Sequence, residues 1–257
     1  DRTEDGKVLL TGRVGEPAAI QSSSSETKKV GGGQTRPVFV ESYEGETVFE
    51  AARRILSTVD KRLFFSTAQV FILGDKLLQD GIEEALDFFQ RDQEVNYLMD
   101  VLVAKGVTPR EILEMETDTN SIPAMYIKGT IDNTIFRGTV KRTMLIDLIK
   151  DINISGKQPA IGRISKPEEK VVSTEGVAVI KDGRLAGWLG PYETRGYLFA
   201  IDEVESTIVN IPADDGKIAM EIVRSKGKIS VEFEKGKPSM LTIKVVVEAN
   251  VGGYEAK

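Results

Sequence analysis

The sequence of 257 residues contains no cysteine and no histidine, and it has one tryptophan. Without cysteine the chain can form no disulfide, no thiolate nucleophile and no thiolate zinc site. Without histidine it has no Ser-His-Asp relay and no imidazole base working near neutral pH. No hydrophobic run approaches the roughly 18 residues that a membrane-spanning helix needs. We therefore expect a chain that needs no detergent, and we predict no catalytic residue, no metal site and no cofactor.

Excess positive charge is also missing, because the formal net charge is -6. The longest basic clusters are pairs, Lys28-Lys29 and Arg53-Arg54. A nucleic-acid surface needs clustered Lys and Arg, so we predict no nucleic-acid partner. Hydrophobic residues make up 40% and charged residues 29% of the chain, which is typical of a globular protein.

The segment from Gly176 to Tyr197 carries the clearest local pattern. Two short apolar runs flank Asp182-Gly183, and such a pair predicts a β-hairpin because glycine adopts the positive φ of the turn without steric cost. Trp188 lies near the end of the second run. Pro191 suits the first turn of a helix, and we predict a short helix up to Ala200.

The part before residue 116 mixes strand and helix patterns and predicts a first domain over residues 1–115. Capping residues predict helix starts at Thr47, Asp80 and Thr108. The polar stretch Gly15–Pro37 has too little apolar surface to order itself, so it is predicted to be a mobile loop. The predicted strands are Lys7–Val14, Val38–Ser42, Leu63–Leu73 and Tyr97–Ala104.

The rest of the chain is predicted to form a small middle domain, 116–200, and the beginning of a truncated C-terminal β-rich domain, 201–257. In the middle domain, 122–136 fits either helix or irregular structure, Thr143–Ile152 is a helix, and Pro159–Ile164 is a strand that pairs with the hairpin. The predicted C-terminal strands are Thr207–Ile211, Lys217–Arg224, Lys228–Glu234 and Met240–Val251, with turns at Lys226-Gly227 and Lys235-Gly236. The predicted fold class is α+β, multi-domain, with mixed sheets flanked by helices.

Few side chains suggest chemistry. The adjacent carboxylate pairs, such as Glu83-Glu84, are better explained as solvated surface than as acid–base couples. Trp188 is explained most simply as a core residue that anchors the hairpin to the helix. The alternative is an interface residue, because Trp and Arg are enriched among binding hot spots. Glu193 and Arg195 are its charged neighbours, and the three form the candidate interaction site.

Four blocks of the sequence resemble the GerAC (Ger(x)C) family of spore germination lipoproteins, the C subunits of nutrient germinant receptors. The resemblance rests on the order and spacing of the blocks and covers essentially the whole chain. The blocks are DRTEDGKVLLTGRVGEP from Asp1, GETVFEAARRILSTVDKRLFFSTAQVFILGDKLLQDGIEEALDFFQRDQEV from Gly45, VLVAKGVTPREIL from Val101 and EGVAVIKDGRLAGWLGPYETRG from Glu175.

The resemblance implies a three-domain α+β lipoprotein on the outer face of the spore inner membrane. It implies assembly with two integral-membrane subunits, no catalysis, and a lipid anchor on a cysteine that this sequence does not contain. Two alternatives stay open: a solute-binding lipoprotein that holds the nutrient itself, and an enzyme whose residues are brought together by folding. A deep pocket at a domain junction with converging polar groups would favour the first alternative.

Overall fold

The computed structural model describes residues 1–15, 38–58, 65–117 and 123–256. The predicted mobile loop Gly15–Pro37 lies almost entirely outside the described residues and stays a prediction. The strands are β1 Val8–Gly15, β2 Val38–Gly45, β3 Val70–Leu73, β4 Asp100–Ala104, β5 Ala160–Glu168, β6 Val171–Ser173, β7 Val177–Lys181, β8 Arg184–Leu189, β9 Thr207–Ala213, β10 Gly216–Glu234 and β11 Lys237–Ala256. The α-helices are α1 Val48–Thr58, α2 Asp75–Asp80, α3 Glu83–Arg91, α4 Pro109–Leu113, α5 Pro123–Ile135, α6 Leu145–Asn153 and α7 Pro191–Ala200. Helices and mixed strands thus give the predicted α+β class.

The central sheet has the strand order β3-β4-β5-β7-β8, with β6 paired beside β5. Strands β3, β4 and β5 run parallel, and β7 and β8 are antiparallel to their neighbours. Strand β4 comes from the predicted first domain and β5 from the predicted second, yet they are neighbours. The predicted boundary at 115/116 therefore cuts through one sheet, because sequence order does not reveal which strands pair.

Helices cover both faces of this sheet. One face packs its apolar side chains against α1, α2, α3 and α6. The other face packs against α4 and α5, through residues such as Ile112, Ile127 and Ile131. The open choice for 122–136 is resolved as helix α5. All five residues of β4 are buried because helices cover both faces of the strand. Strands in this position read as near-continuous apolar runs.

The predicted hairpin and its helix are confirmed. Asp182 and Gly183 form the turn between β7 and β8 with φ of 51° and 75°. Two positive φ values in succession match the right-handed twist of the flanking strands. Pro191 occupies the first turn of α7, and β5 pairs with β7 as predicted.

The helix starts were predicted with mixed success. Thr108 forms a complete capping box with Glu111. At Thr47, the hydroxyl accepts the amide of Glu50 at 3.2 Å, but the Glu50 carboxylate accepts the amide of Glu46 instead of Thr47. The cap predicted at Asp80 is wrong, because Asp80 ends α2 and α3 follows Gly81 and an N-cap without a side-chain hydrogen bond.

One turn and two strand predictions need correction, and the strand predicted as Tyr97–Ala104 begins only at Asp100. Of Leu63–Leu73, only Val70–Leu73 is a strand, residues Phe65–Thr67 form a 3-10 helix, and residues 63 and 64 lie outside the described part. The predicted turn at Lys226-Gly227 does not exist, since β10 continues through it. A strand glycine can instead mark a close approach of another backbone, as described below. The turn at Lys235-Gly236 is confirmed by φ of 51° and 76°.

Candidate interaction surface

Trp188 lies in β8, at one edge of the central sheet. It is paired with Ala178 of β7, and its half-buried ring packs against the core on the face covered by α1, α2, α3 and α6. The ammonium of Lys105, which follows β4, lies 5.2 Å from the ring centroid. A lysine at this distance is attracted to the negative face of the indole. The geometry supports the simpler sequence interpretation, in which Trp188 anchors the hairpin.

Glu193 and Arg195 occupy different surroundings on α7. Glu193 is exposed in the first turn, where a carboxylate is favoured by the helix dipole. The guanidinium of Arg195 donates a hydrogen bond of 3.0 Å to the carbonyl of Ile208 in β9. Arg195 therefore ties α7 to the C-terminal sheet, and Trp188, Glu193 and Arg195 do not form one contact cluster.

The outward side of α7 presents Tyr192 beside Glu193. Tyr192 is 85% exposed, the highest value among the large hydrophobic side chains described. Tyrosine provides contact area at a low cost in conformational entropy. By contrast, burial raises the pKa of Tyr197, on the same helix, to about 12. The helix thus has a buried side that faces the protein and an exposed aromatic and acidic side.

The two long strands β10 and β11 carry a second exposed surface, which sequence analysis did not identify. Opposite residues in an antiparallel pair share a face, and the pairs Val231–Leu241 and Ile229–Ile243 are directly opposite. Their exposed fractions range from 41% to 62%. The opposite face carries the pairs Ser230–Thr242 and Lys228–Lys244. Alternation of apolar residues in the predicted strands was the signal that could have revealed this apolar face.

Helix α7 ends against this apolar face. A Cβ on Gly227 would collide with the carbonyl of Phe199 and lie 3.0 Å from that of Ala200. The amide of Gly227 also donates a hydrogen bond of 2.7 Å to the carboxylate of Asp202. The glycine that was predicted as a turn is therefore the position where α7 meets β10.

A polar cleft of about 330 Å³ lies between the connection from α5 to α6 and the segment that leads from α7 to β9. Its polar lining includes Arg142, Asp147, Glu203 and Glu205. Arg142 bonds to Asp100 and Asp132, and Lys141 pairs with Glu203. The remaining groups give the cleft an acidic character.

No three His, Cys, Asp or Glu side chains in the described ranges are arranged to hold a metal ion. Among the helices that the structure describes, none combines the length and the apolar character needed to span a bilayer.

The fold is α+β, and exposed side chains lie on the outward side of α7 and on one face of the C-terminal sheet. Residues 1–166 match the family model described as the spore germination protein N-terminal domain. Residues 175–257 match the model described as spore germination B3/GerAC like, C-terminal. The chain belongs to the GerAC family of spore germination proteins.

Individual relatives agree with this assignment. Spore germination protein KC of Bacillus subtilis (strain 168) is 26% identical over 271 residues, covering 96% of this chain and 65% of that protein. Spore germination protein B3 of the same organism is 24% identical over 243 residues, covering 93% of this chain and 62% of that protein. The chain therefore spans less than two thirds of the length of either relative.

A solved structure supports the fold. The crystal structure of the GerBC protein aligns with a TM-score of 0.57 and 20% identity, covering 99% of this chain and 70% of that one. The matching family models and both relatives are named for spore germination.

Proposed function

We propose that this protein is a non-catalytic lipoprotein subunit of a nutrient germinant receptor. It assembles with two integral-membrane subunits on the outer face of the spore inner membrane and is required for germination. The observation that carries the proposal is the match of two consecutive GerAC family models along nearly the whole chain. The sequence contributes support because it has neither the histidine nor the cysteine on which many catalytic sites depend.

The hairpin–helix unit supplies a contact surface for that assembly. Arg195 positions α7 by its bond to β9. Trp188 packs on the core and so anchors the hairpin from which α7 follows. Tyr192 and Glu193 extend outward from the helix. In this proposal the outward pair contacts a partner subunit, while Trp188 and Arg195 act only through the position of α7.

The test replaces Tyr192 and Glu193 singly, as Tyr192→Ala and Glu193→Lys, in the full-length protein in spores. Because both side chains are exposed, thermal unfolding of the isolated protein should change little, apart from the small cost of placing a positive charge at the start of α7. Co-purification with the membrane subunits after detergent extraction, and germination in response to nutrient, should both fall. Trp188→Ala should lower stability and receptor level together.

Glu94→Lys is the matched control, because Glu94 is also exposed but lies in the turn between α3 and β4. It should leave assembly and germination unchanged. Normal assembly in both α7 variants would show that α7 is not part of the interface. Normal nutrient germination in spores that lack the whole subunit would overturn the proposed function itself.

The second candidate function is direct binding of the nutrient in the polar cleft. A volume of about 330 Å³ is at the lower limit for small-molecule pockets, which span roughly 300–1,000 Å³. Its acidic lining favours a ligand with an ammonium group. Calorimetric titration with amino acids and with sugars tests this: amino-acid binding that Asp147→Asn abolishes would support it, and no heat with either class would reject it.

A further inference from the structure

A groove of about 500 Å³ separates the sheet β1-β2 from the central sheet. Consecutive residues of two strands line it, Leu9–Arg13 of β1 and Val70–Leu73 of β3. Side chains alternate between the two faces of a strand, so a wall of consecutive residues exposes a backbone edge. Among the described strands, β1 pairs with β2 alone and β3 with β4 alone. Within the described residues, the groove thus lies between two sheet edges that no further strand covers.

Strand pairing already begins at one end of the groove. The amine of Asp1 donates to the carbonyl of Leu9 at 2.9 Å, and the amide of Leu9 donates to the carbonyl of Asp1 at 2.8 Å. Arg2 and Val8 form an adjacent antiparallel bridge. On the other side, a Cβ on Gly74, just after β3, would collide with the Asp1 carboxylate. The backbone of Asp1 therefore lies between β1 and the carboxyl end of β3.

We propose that this groove is occupied by an extended strand of the same polypeptide, formed by the residues immediately N-terminal to Asp1 in a longer form of the chain. The pairing of Asp1 with Leu9 fixes its direction, since residues before Asp1 continue opposite Leu10 and Thr11. The strand is antiparallel to β1. Because Asp1 lies at the carboxyl end of β3, it is parallel to β3. It joins the two sheets into one.

The lining determines the composition of the strand. One side of the groove is formed by Leu77 of α2 and Phe89 of α3. The other side is formed by Leu113 of α4 and Met125 of α5. A strand between these layers is covered on both faces, and such strands read as near-continuous apolar runs. β3 has four residues, so the occupant is an apolar run of about four or five residues, at about 3.3 Å each.

The state of the Asp1 amine agrees with this geometry. Burial lowers the pKa of the Asp1 amine to about 6, because an ammonium group loses hydration there. A peptide N–H at the same position carries no charge, keeps the hydrogen bond to Leu9, and incurs no such cost. The site is therefore better suited to an internal residue of a strand than to a charged chain end.

The experiment compares two proteins that both end at Lys257, one starting at Asp1 and one carrying its native preceding residues. Hydrogen exchange is measured at the amides of Leu10–Gly12 and Val70–Leu73. In the longer protein the edge-facing amides should exchange at least about tenfold more slowly, as expected for amides that gain a ladder partner. Equal exchange in the two proteins would overturn the proposal.

A charge substitution gives an independent readout. Met125 is 53% exposed at the groove, and Met240, on β11, is 56% exposed and serves as the control. Met125→Glu should leave the Tm of the shorter protein nearly unchanged and lower that of the longer one by about 5 °C or more, because the strand would bury the new carboxylate. Met240→Glu should act equally at both lengths.

The competing occupant is the segment 16–37, which joins β1 to β2. Replacing it with a short Gly-Ser linker should preserve the slow exchange of the longer protein. Loss of that protection on replacement would show that the segment fills the groove and would reject the N-terminal strand. Equal effects of Met125→Glu on the two lengths would reject it as well.

Discussion

The guanidinium of Arg142 donates two hydrogen bonds to the buried carboxylate of Asp100, at 2.7 and 3.0 Å. Asp100 is 1% exposed at the start of β4. Asp132 on α5 accepts a further bond from Arg142, and Lys128 lies 3.6 Å from Asp100. The hydrogen bond to Asp100 is the main cause that raises the pKa of Arg142. The pair joins the central sheet to α5 and to the segment before α6.

Replacing Arg142 should be strongly destabilising. Arg142→Met leaves the Asp100 carboxylate buried with Lys128 alone, and breaking a buried pair typically costs about 3–5 kcal/mol. We expect a loss in the free energy of unfolding at the lower end of this range, measured by urea unfolding. The control is Arg91→Met, because Arg91 and Asp87 form an exposed pair within one helix, worth about 0.5 kcal/mol or less. Equal effects of the two changes would contradict the role of Asp100–Arg142.

Trp188 should contribute to stability through packing more than through its cation contact. Trp188→Ala should lower the free energy of unfolding by about 3 kcal/mol, since the ring is only partly buried. Lys105→Met should cost less than about 1 kcal/mol, because Lys105 is exposed. Chemical unfolding followed by circular dichroism measures both variants. A Trp188→Ala protein as stable as the original would show that the ring is not part of the core.

Stability of the chain with a free Asp1 amine should rise between about pH 6 and pH 8. The amine pKa falls from 8.0 to about 6 on folding, so the unfolded state binds more protons in this interval. Below it, the folded state holds a poorly hydrated ammonium group, and above it the amine is neutral in both states. The linked difference is about 2–3 kcal/mol.

Urea unfolding at several pH values measures this dependence. Acetylation of the amine should remove the rise between pH 6 and pH 8, while the contributions of other groups remain. A rise that persists unchanged after acetylation would assign the effect to a different group.

Gly227 should resist substitution although it lies within a strand. Gly227→Ala places a methyl group against the carbonyl of Phe199, and we expect a loss of about 1–3 kcal/mol from this overpacking. Gly253→Ala in β11 is the control, because a Cβ there meets no atom within 4 Å. Thermal unfolding compares them. Similar Tm values for the two variants would show that α7 does not press on β10.

Local patterns in the sequence predicted the elements whose geometry depends on neighbouring residues. Asp182-Gly183 specified its turn because only a few residues adopt positive φ readily. Thr108 and Glu111 specified a helix start because their side chains satisfy amides within one turn. Pro191 specified the start of α7 because its fixed φ suits the first turn of a helix. The four-block resemblance also identified the family, which the family models confirm.

Patterns failed where a distant segment decided the outcome. Lys226-Gly227 has the composition of a turn, but β10 continues because β11 pairs along its length and α7 requires a residue without a side chain. Asp80 has the spacing of a helix cap, but it is the last residue of α2. At the start of α3, the amide of Ile82 donates to the carbonyl of Gly183 in the distant β7–β8 turn. In each case the same local sequence is compatible with two structures.

The sequence by itself determined the fold class, the hairpin–helix unit and the family, because these follow from local backbone preferences and from the order of residues along the chain. Only the tertiary structure decided that β4 pairs with β5, that Trp188, Glu193 and Arg195 have separate roles, and that an open groove lies between β1 and β3. Such features depend on contacts between residues far apart in sequence, and a linear pattern carries no information on which of many possible pairings has the lowest free energy.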